Sequence, residues 1–266
     1  MGAFDPGRVK LSFVVSAERI GAATVSCVRP DVVRILRGQP AGKAVALVPL
    51  IYSLCGKAQG VAARAALAAA RGDTQGPHVD VEVLAEAARE HAWKLFIDWP
   101  KQMGVAPDEA FFVRLVRASP SERATIAATL LPAHPLPAAL RDGLGTGDID
   151  GLLRDRIDTR LAELLDWLFD RPQLLGTVSA GSVAAGSGEA RVETARGTLV
   201  HRLMLDGDNV ADYSITAPTD VHFAAGGSVS QWLVELRGLA KTDAERMAAH
   251  LVMAFDPCVP WEFEYR

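Results

Sequence analysis

Alternation of apolar and polar residues near the start of the chain predicts β-strands. Residues 9–13 alternate strictly, and residues 22–28 predict a second strand. Residues 43–71 differ, because they are rich in alanine and apolar on nearly every side. We expect this helical segment in the centre of the molecule, since a surface helix would show a polar face. Pro49 should kink or divide it.

Helical periodicity continues through the middle of the chain. Residues 80–98 predict a helix that ends at Trp99 and Pro100. Residues 119–122, Ser-Pro-Ser-Glu, form a capping box with proline at the first helical position. A leucine stripe in residues 161–168 indicates an amphipathic helix. A helical middle region therefore follows the predicted strands.

Two segments are predicted to lack regular structure. Residues 131–150 contain several prolines and glycines and are the best candidate for a flexible linker. Residues 180–188 are rich in glycine, serine and alanine, which favours a mobile loop.

Residues 206–209, Asp-Gly-Asp-Asn, lie between two strand-like runs and predict a hairpin. With no internal repeat, residues 1–266 are predicted to form a single α+β domain.

Composition narrows the functional classes. Apolar residues make up 49% of the 266 residues and charged residues 23%, which excludes wholesale disorder. The net charge of −4 gives no basic surplus for nucleic acid or an anionic membrane. The longest apolar run, residues 44–54, is shorter than the roughly 20 residues of a membrane-spanning helix. Residues 1–10 lack the apolar core of a signal peptide, so we expect a cytoplasmic protein.

Three cysteines, Cys27, Cys55 and Cys258, lie far apart, and no Cys-x-x-Cys pair is present. This count excludes a disulfide framework and a zinc ribbon. Cys258 lies between Pro257 and Pro260, in a stiff and non-helical segment. Taken alone, Cys55 and Cys258 also fit the ordinary role of a small buried apolar residue.

The stretch from Glu193 to His201 is a third candidate. It places a carboxylate, the guanidinium of Arg196 and an imidazole close together, and Gly197 allows a close backbone approach. An exposed strand edge with ordinary charges is the alternative interpretation. Neither a His-Glu-x-x-His metal motif nor a Gly-x-Ser-x-Gly nucleophile motif occurs.

Residues 50–59 follow a longer frame, Cys-x-x-Cys-x-x-x-His, in altered form. Tyr52 stands at the first cysteine, Cys55 matches the second, and Gln59 replaces the histidine. A soft metal site built on such a frame would keep one of its two thiolates here.

A second altered frame, Phe-Asp-Pro-Cys-x-x-Cys-x-x-His, begins at residue 255. Residues 255–258 match it, whereas Trp261 replaces the second cysteine and Glu264 the histidine. Between the two frames, residues 193–201 resemble a Glu-Ala-Pro-Arg-Gly-x-Leu-x-His segment, in which Arg196 matches the arginine, whereas Thr194 and Ala195 replace the alanine and the proline.

In this order and spacing, the segments resemble the large subunit of nickel–iron hydrogenases from about residue 9 to the end. One cysteine of each pair is replaced, and the chain is shorter than a catalytic large subunit. It is therefore similar to the hydrogenase expression/formation proteins of the HupK/HoxV type. The resemblance implies an α+β fold that is predominantly helical with small antiparallel sheets.

The resemblance also implies a function and a set of site residues. It implies a maturation factor, not an enzyme, that serves as scaffold or carrier for the Fe(CN)2(CO) part of the nickel–iron site. Cys55 and Cys258 would be the metal ligands. Arg196, Asp256 and Glu193 would contact or orient the iron group, which would be bound transiently and without nickel. His201 and Cys27 are expected to be structural.

The partners implied by the family are other maturation proteins, namely a small chaperone and the proteins that assemble the iron ligands, and the large-subunit precursor. Two alternatives remain open at this point. One is a metal-free adaptor that binds maturation proteins, and the other is a pared-down redox enzyme.

Overall fold

Two β-sheets and a series of helices form the fold in the computed structural model, which describes residues 6–266. The strands are β1 (Arg8–Ser16), β2 (Arg19–Val28), β3 (Gln75–Val79), β4 (Thr177–Ala184), β5 (Ser187–Thr194), β6 (Gly197–Asp206), β7 (Asn209–Thr216) and β8 (Trp261–Tyr265). The α-helices are α1 (Ala41–Ile51), α2 (Gly56–Ala70), α3 (Val81–Trp93), α4 (Trp99–Gln102), α5 (Glu109–Arg117), α6 (Pro120–Thr125), α7 (Pro135–Asp142), α8 (Asp148–Leu168), α9 (Pro218–His222), α10 (Ser228–Trp232) and α11 (Lys241–Phe255). With 51% helix and 25% strand, the predicted class is confirmed.

A three-stranded sheet joins the two ends of the described chain. Its order is β2-β1-β8, with β1 and β2 antiparallel. The two strands lie where the sequence predicts them, around residues 9–13 and 22–28. Strand β8 runs parallel to β1, and Val9 lies opposite Trp261. The backbone N–H of Val9 donates to the carbonyl oxygen of Pro260 at 2.9 Å. This pairing fixes the segment that carries Cys258 next to the first strand.

The second sheet is antiparallel, in the order β3-β4-β5-β6-β7, and packs against α2. The central position predicted for the alanine-rich helix is confirmed, because Ala62, Ala63 and Ala66 are fully buried. The helix approaches β5 so closely that a Cβ on Gly188 would lie 2.2 Å from the carbonyl oxygen of Ala66. Glycine is therefore required at this position.

The break between α1 and α2 determines where Cys55 lies. Helix α1, which contains Pro49, ends at Ile51, and a 3-10 turn, Ser53–Cys55, leads into α2 at Gly56. The predicted division of the long apolar segment is thus confirmed. Cys55 is the last residue before the first turn of the central helix.

Residues 131–150 and 180–188 are more regular than the sequence predicts. The first segment contains α7, and its side chains Leu131, Leu136 and Leu140 are buried among the helices. Pro135 begins α7, where a proline is favoured, so the prolines that predict a linker here mark a helix start. Residues 180–188 lie mainly in the hairpin of β4 and β5.

Across residues 6–266, the helices are all too short or too polar to span a lipid bilayer.

Candidate functional site

Cys55 and Cys258 open onto the same cavity, which has a volume of about 550 Å³. Arg29 and Tyr52 also line it, and most of the remaining wall is apolar. We call this space the thiol cavity. Tyr52 lies just before the 3-10 turn that ends at Cys55, and both side chains line the cavity. Burial raises the pKa of Tyr52 to about 12, which keeps the phenol protonated.

Two donors hold the sulfur of Cys258. Nη2 of Arg29 donates a hydrogen bond to Sγ at 2.8 Å, and Oγ1 of Thr219 donates to it at 3.4 Å. The backbone N–H of Cys258 in turn donates to Oγ1 of Thr219 at 3.1 Å. The Cys258 segment is therefore fastened to the start of α9 through both its backbone and its side chain.

Arg29 is itself held in place at the end of β2. Its Nε lies 3.0 Å from Oδ1 of Asp220. Burial by itself lowers the pKa of Arg29, but the electrostatic interactions with Cys258 and Asp220 outweigh this and raise the pKa above its ordinary value. The guanidinium is thus a permanent cation in the wall of the thiol cavity.

The sulfur of Cys55 accepts a weaker hydrogen bond than the sulfur of Cys258. Nε2 of Gln59 donates to it at 3.8 Å, while Oε1 of Gln59 lies 2.9 Å from Nε2 of His201. Nδ1 of His201 lies 2.8 Å from the hydroxyl of Tyr213, and burial lowers the pKa of His201 to about 3. A neutral imidazole therefore braces Gln59, in keeping with the structural role expected for His201. Burial raises the pKa of Cys55 to about 12.

Behind the thiol cavity lies a group of buried charges that we call the ion cluster. Oδ1 of Asp256 lies 2.8 Å from Nζ of Lys94, and Oδ2 lies 2.5 Å from Nη2 of Arg160 and 3.2 Å from Nε of Arg196. Nη2 of Arg196 donates to Oε1 of Glu90 at 2.5 Å. Burial by itself raises the pKa of Asp256, but the three cations hold it well below its usual range.

The ion cluster connects both ends of the candidate site. Arg196 and Cys55 border a small void of about 10 Å³. Nε of Arg196 also donates to the backbone carbonyl oxygen of Asp256 at 2.9 Å. Asp256 ends α11 in the left-handed conformation, with φ of 45°, two residues before Cys258. The cluster therefore positions Arg196 and the Cys258 segment together.

No protein-family model matches the chain. It is 26% identical to the hydrogenase expression/formation protein HoxV of Cupriavidus necator, over 87% of this chain and 90% of the relative. It is 27% identical to the hydrogenase expression/formation protein HupV of Azotobacter chroococcum, over 96% of this chain and 98% of the relative. The chain is similar to hydrogenase expression/formation proteins over most of its length.

The fold agrees with this similarity to hydrogenase expression/formation proteins. The nickel–iron–selenium hydrogenase from Desulfovibrio vulgaris Hildenborough superposes with a TM-score of 0.58 and 13% sequence identity. The superposition covers 92% of this chain and 94% of that chain. The family resemblance predicted from the altered motifs is confirmed, and the fold is that of nickel–iron hydrogenase large subunits.

The structure brings together four of the five residues that the family motifs single out: Cys55, Cys258, Arg196 and Asp256. Glu193 is the exception. Its carboxylate accepts a hydrogen bond from Oγ1 of Thr198 at 2.8 Å, between the paired strands β5 and β6 next to their turn. Among the described residues that line the thiol cavity, Glu193 is absent. Its role in binding the iron group therefore stays a prediction.

Sequence reasoning missed Arg29 and Glu90. The sequence Arg-Glu-His at residues 89–91 suggests a solvated helix face, but only 12% of the Glu90 side chain is exposed. Its spacing from the buried residues Val83 and Ala87 could have revealed this, because all three fall on one side of α3. Arg29 carries no comparable signal, since its partner Cys258 is distant in sequence.

Within residues 6–266, the structure contains no group of three or more histidine, cysteine, aspartate and glutamate side chains arranged to hold a metal ion. The two cysteines thus make an incomplete ligand set for a bare cation.

Proposed function

We propose that this chain is a cytoplasmic accessory protein that carries the Fe(CN)2(CO) group during maturation of a nickel–iron hydrogenase. The observation that supports this most directly is the shared cavity of Cys55 and Cys258. The two cysteines come from distant parts of the sequence, and each is the retained member of an altered cysteine pair. The relatives of this chain are named hydrogenase expression/formation proteins.

The number of thiols favours iron that is already ligated. Iron with two cyanides and one carbon monoxide needs few further ligands, and two thiolates supply them. Nickel in such a site would depend more heavily on soft thiolate ligands, and Tyr52 stands where another cysteine would be needed. The iron group is therefore cargo to be handed on, not a resident cofactor.

The charges around the cavity support an anionic cargo. One Fe(II) with two cyanides is neutral, so two cysteine thiolates make the complex negative. Arg29 at Cys258 and Arg196 near Cys55 provide positive charge on both sides. A guanidinium has five N–H donors, so Arg196 keeps donors beyond its bonds to Asp256 and Glu90 for a cyanide nitrogen.

Infrared spectroscopy with metal analysis tests the proposal. The protein is produced with the hydrogenase maturation proteins and purified without oxygen. We expect cyanide and carbon monoxide bands, with iron and without nickel. Both Cys55→Ser and Cys258→Ser should abolish the bands, whereas Cys27→Ser, the matched control, should retain them.

Two other outcomes would contradict the carrier. Normal hydrogenase maturation with both Cys55→Ser and Cys258→Ser would indicate a metal-free adaptor. Nickel in the purified protein together with hydrogen uptake would indicate a pared-down redox enzyme.

The proposed partners are a small chaperone, the proteins that assemble the iron ligands, and the large-subunit precursor. Co-purification of these proteins with the tagged chain tests that part of the proposal.

A further inference from the structure

The two sulfurs of the thiol cavity receive unequal hydrogen bonds. Sγ of Cys258 accepts from a charged guanidinium at 2.8 Å and from a hydroxyl at 3.4 Å. Sγ of Cys55 accepts from the neutral amide of Gln59 at 3.8 Å. Charge-assisted hydrogen bonds are about twice as strong as neutral ones, so the difference between the two sulfurs is large.

The donor to Cys258 is preorganised. Arg29 has only 16% of its side chain exposed, and Asp220 fixes its Nε at 3.0 Å. Thr219, the second donor, is buried next to Asp220 at the start of α9. Because Arg29 is held by groups other than the sulfur, it can keep its contact with Cys258 when that sulfur binds a metal.

A hydrogen bond to a coordinated thiolate withdraws electron density from the sulfur and weakens its donation to the metal. We propose that Arg29 makes Cys258 the releasing ligand of the iron group, while Cys55 is the retaining ligand. This inference rests on the proposed carrier function and adds the order in which the two iron–sulfur bonds break. Arg29 acts through Cys258 and is therefore a positioning residue.

The release step is a ligand exchange without change of oxidation state. The bond between iron and Sγ of Cys258 breaks, and the sulfur keeps the electron pair as a thiolate held by Arg29. An incoming thiolate, which has lost its proton to solvent, donates an electron pair to iron and forms the new bond. The number of thiolates on iron and the total charge are the same before and after.

Variants of Arg29 test the proposal on anaerobically purified, iron-loaded protein. Arg29→Met removes the donor, Arg29→Lys keeps a cation near the sulfur, and Arg37→Met removes an exposed arginine that pairs with Asp212. The carbon monoxide band and its decay are followed after addition of dithiothreitol, a dithiol that can accept the iron group. Circular dichroism checks that each variant is folded.

We expect the carbon monoxide band of Arg29→Met to move to lower wavenumber, because a stronger sulfur donor increases back-donation from iron. Its decay should slow by about tenfold, the scale of one charge-assisted hydrogen bond. Arg29→Lys should lie near the wild type, and Arg37→Met should match it.

Two results would overturn the inference and leave the carrier intact. One is a folded Arg29→Met variant with the band position and decay rate of the wild type. The other is a folded Arg29→Met variant that loses the iron group on purification, since Arg29 would then retain the cargo instead of easing its release. Wild-type protein without any bands would overturn the carrier function itself, and the inference with it.

Discussion

Replacing Asp256 by asparagine should lower the free energy of unfolding by about 3–5 kcal/mol, the usual cost of breaking a buried ion pair. The carboxylate is fully buried and faces Lys94, Arg160 and Arg196 at 2.8, 2.5 and 3.2 Å. Asparagine keeps the shape and tolerates the left-handed backbone, here with φ of 45°. The substitution therefore removes the charge with little change in packing.

Asp98→Asn is the matched control. Asp98 also contacts Lys94, at 2.7 Å, but 28% of its side chain is exposed to solvent. Solvent screening limits the effect of such a pair to about 1 kcal/mol or less. Urea unfolding of both variants, followed by circular dichroism, measures the difference. A loss in Asp256→Asn no larger than that in the control would refute the reasoning.

The pH dependence gives a second measurement on the same variant. Because the cations hold the pKa of Asp256 below its ordinary value, its stabilisation is fully present above the unfolded pKa of about 3.9. The stabilisation is lost as the pH falls below that value. The gap between wild type and Asp256→Asn should thus be constant from about pH 7 to 5 and shrink in stronger acid. A gap that does not depend on pH would contradict an electrostatic origin.

Three further predictions concern the framework of the site. Because burial lowers the pKa of His201 to about 3, the wild type should lose stability as the pH falls from about 6.5 towards 3. His201→Gln should reduce that slope of the unfolding free energy by up to about 1.4 kcal/mol per pH unit, and an unchanged slope would contradict a neutral buried imidazole. Gly188→Ala should lower stability by about 1–3 kcal/mol in thermal melting, because its Cβ meets the α2 backbone, whereas Gly181→Ala, with open space, should be nearly neutral. Leu140→Ala should cost about 2–5 kcal/mol in urea unfolding if residues 131–150 are core, and a value near zero would restore the linker interpretation.

Local sequence patterns predicted those strands and helices whose formation is determined by residues close together in the sequence. Alternation predicted β1 and β2, the all-round apolar alanine stretch predicted the central helix α2, and Pro49 predicted the division before Cys55. The altered cysteine frames predicted that Cys55 and Cys258 share one site, which the thiol cavity is consistent with. The strand and helix signals work because each reflects a short-range steric or periodic constraint, whereas the shared site of the two cysteines was implied by the family resemblance.

Contacts between distant segments were harder to predict. Proline favours both turns and the first residue of a helix, so Pro135 suggested a linker where α7 begins. Small residues in 180–188 suggested a mobile loop, although Gly188 is small because α2 packs on it. Arg29 contacts Cys258, and Glu90 contacts Arg196. Both partners are distant in sequence, so the roles of Arg29 and Glu90 follow only from the folded structure.

The parallel pairing of β8 with β1 has a consequence for biosynthesis. Strand β1 emerges early from the ribosome, but its partner β8 and the Cys258 segment are translated more than 200 residues later. Pairing across such a distance is slow, because loop-closure entropy must be overcome first. A nascent chain therefore displays Cys55 without Cys258, and the two sulfurs meet only after residues 258–265 have left the ribosome. Under the proposed carrier function, a nascent chain cannot hold the iron group through both sulfurs before that point.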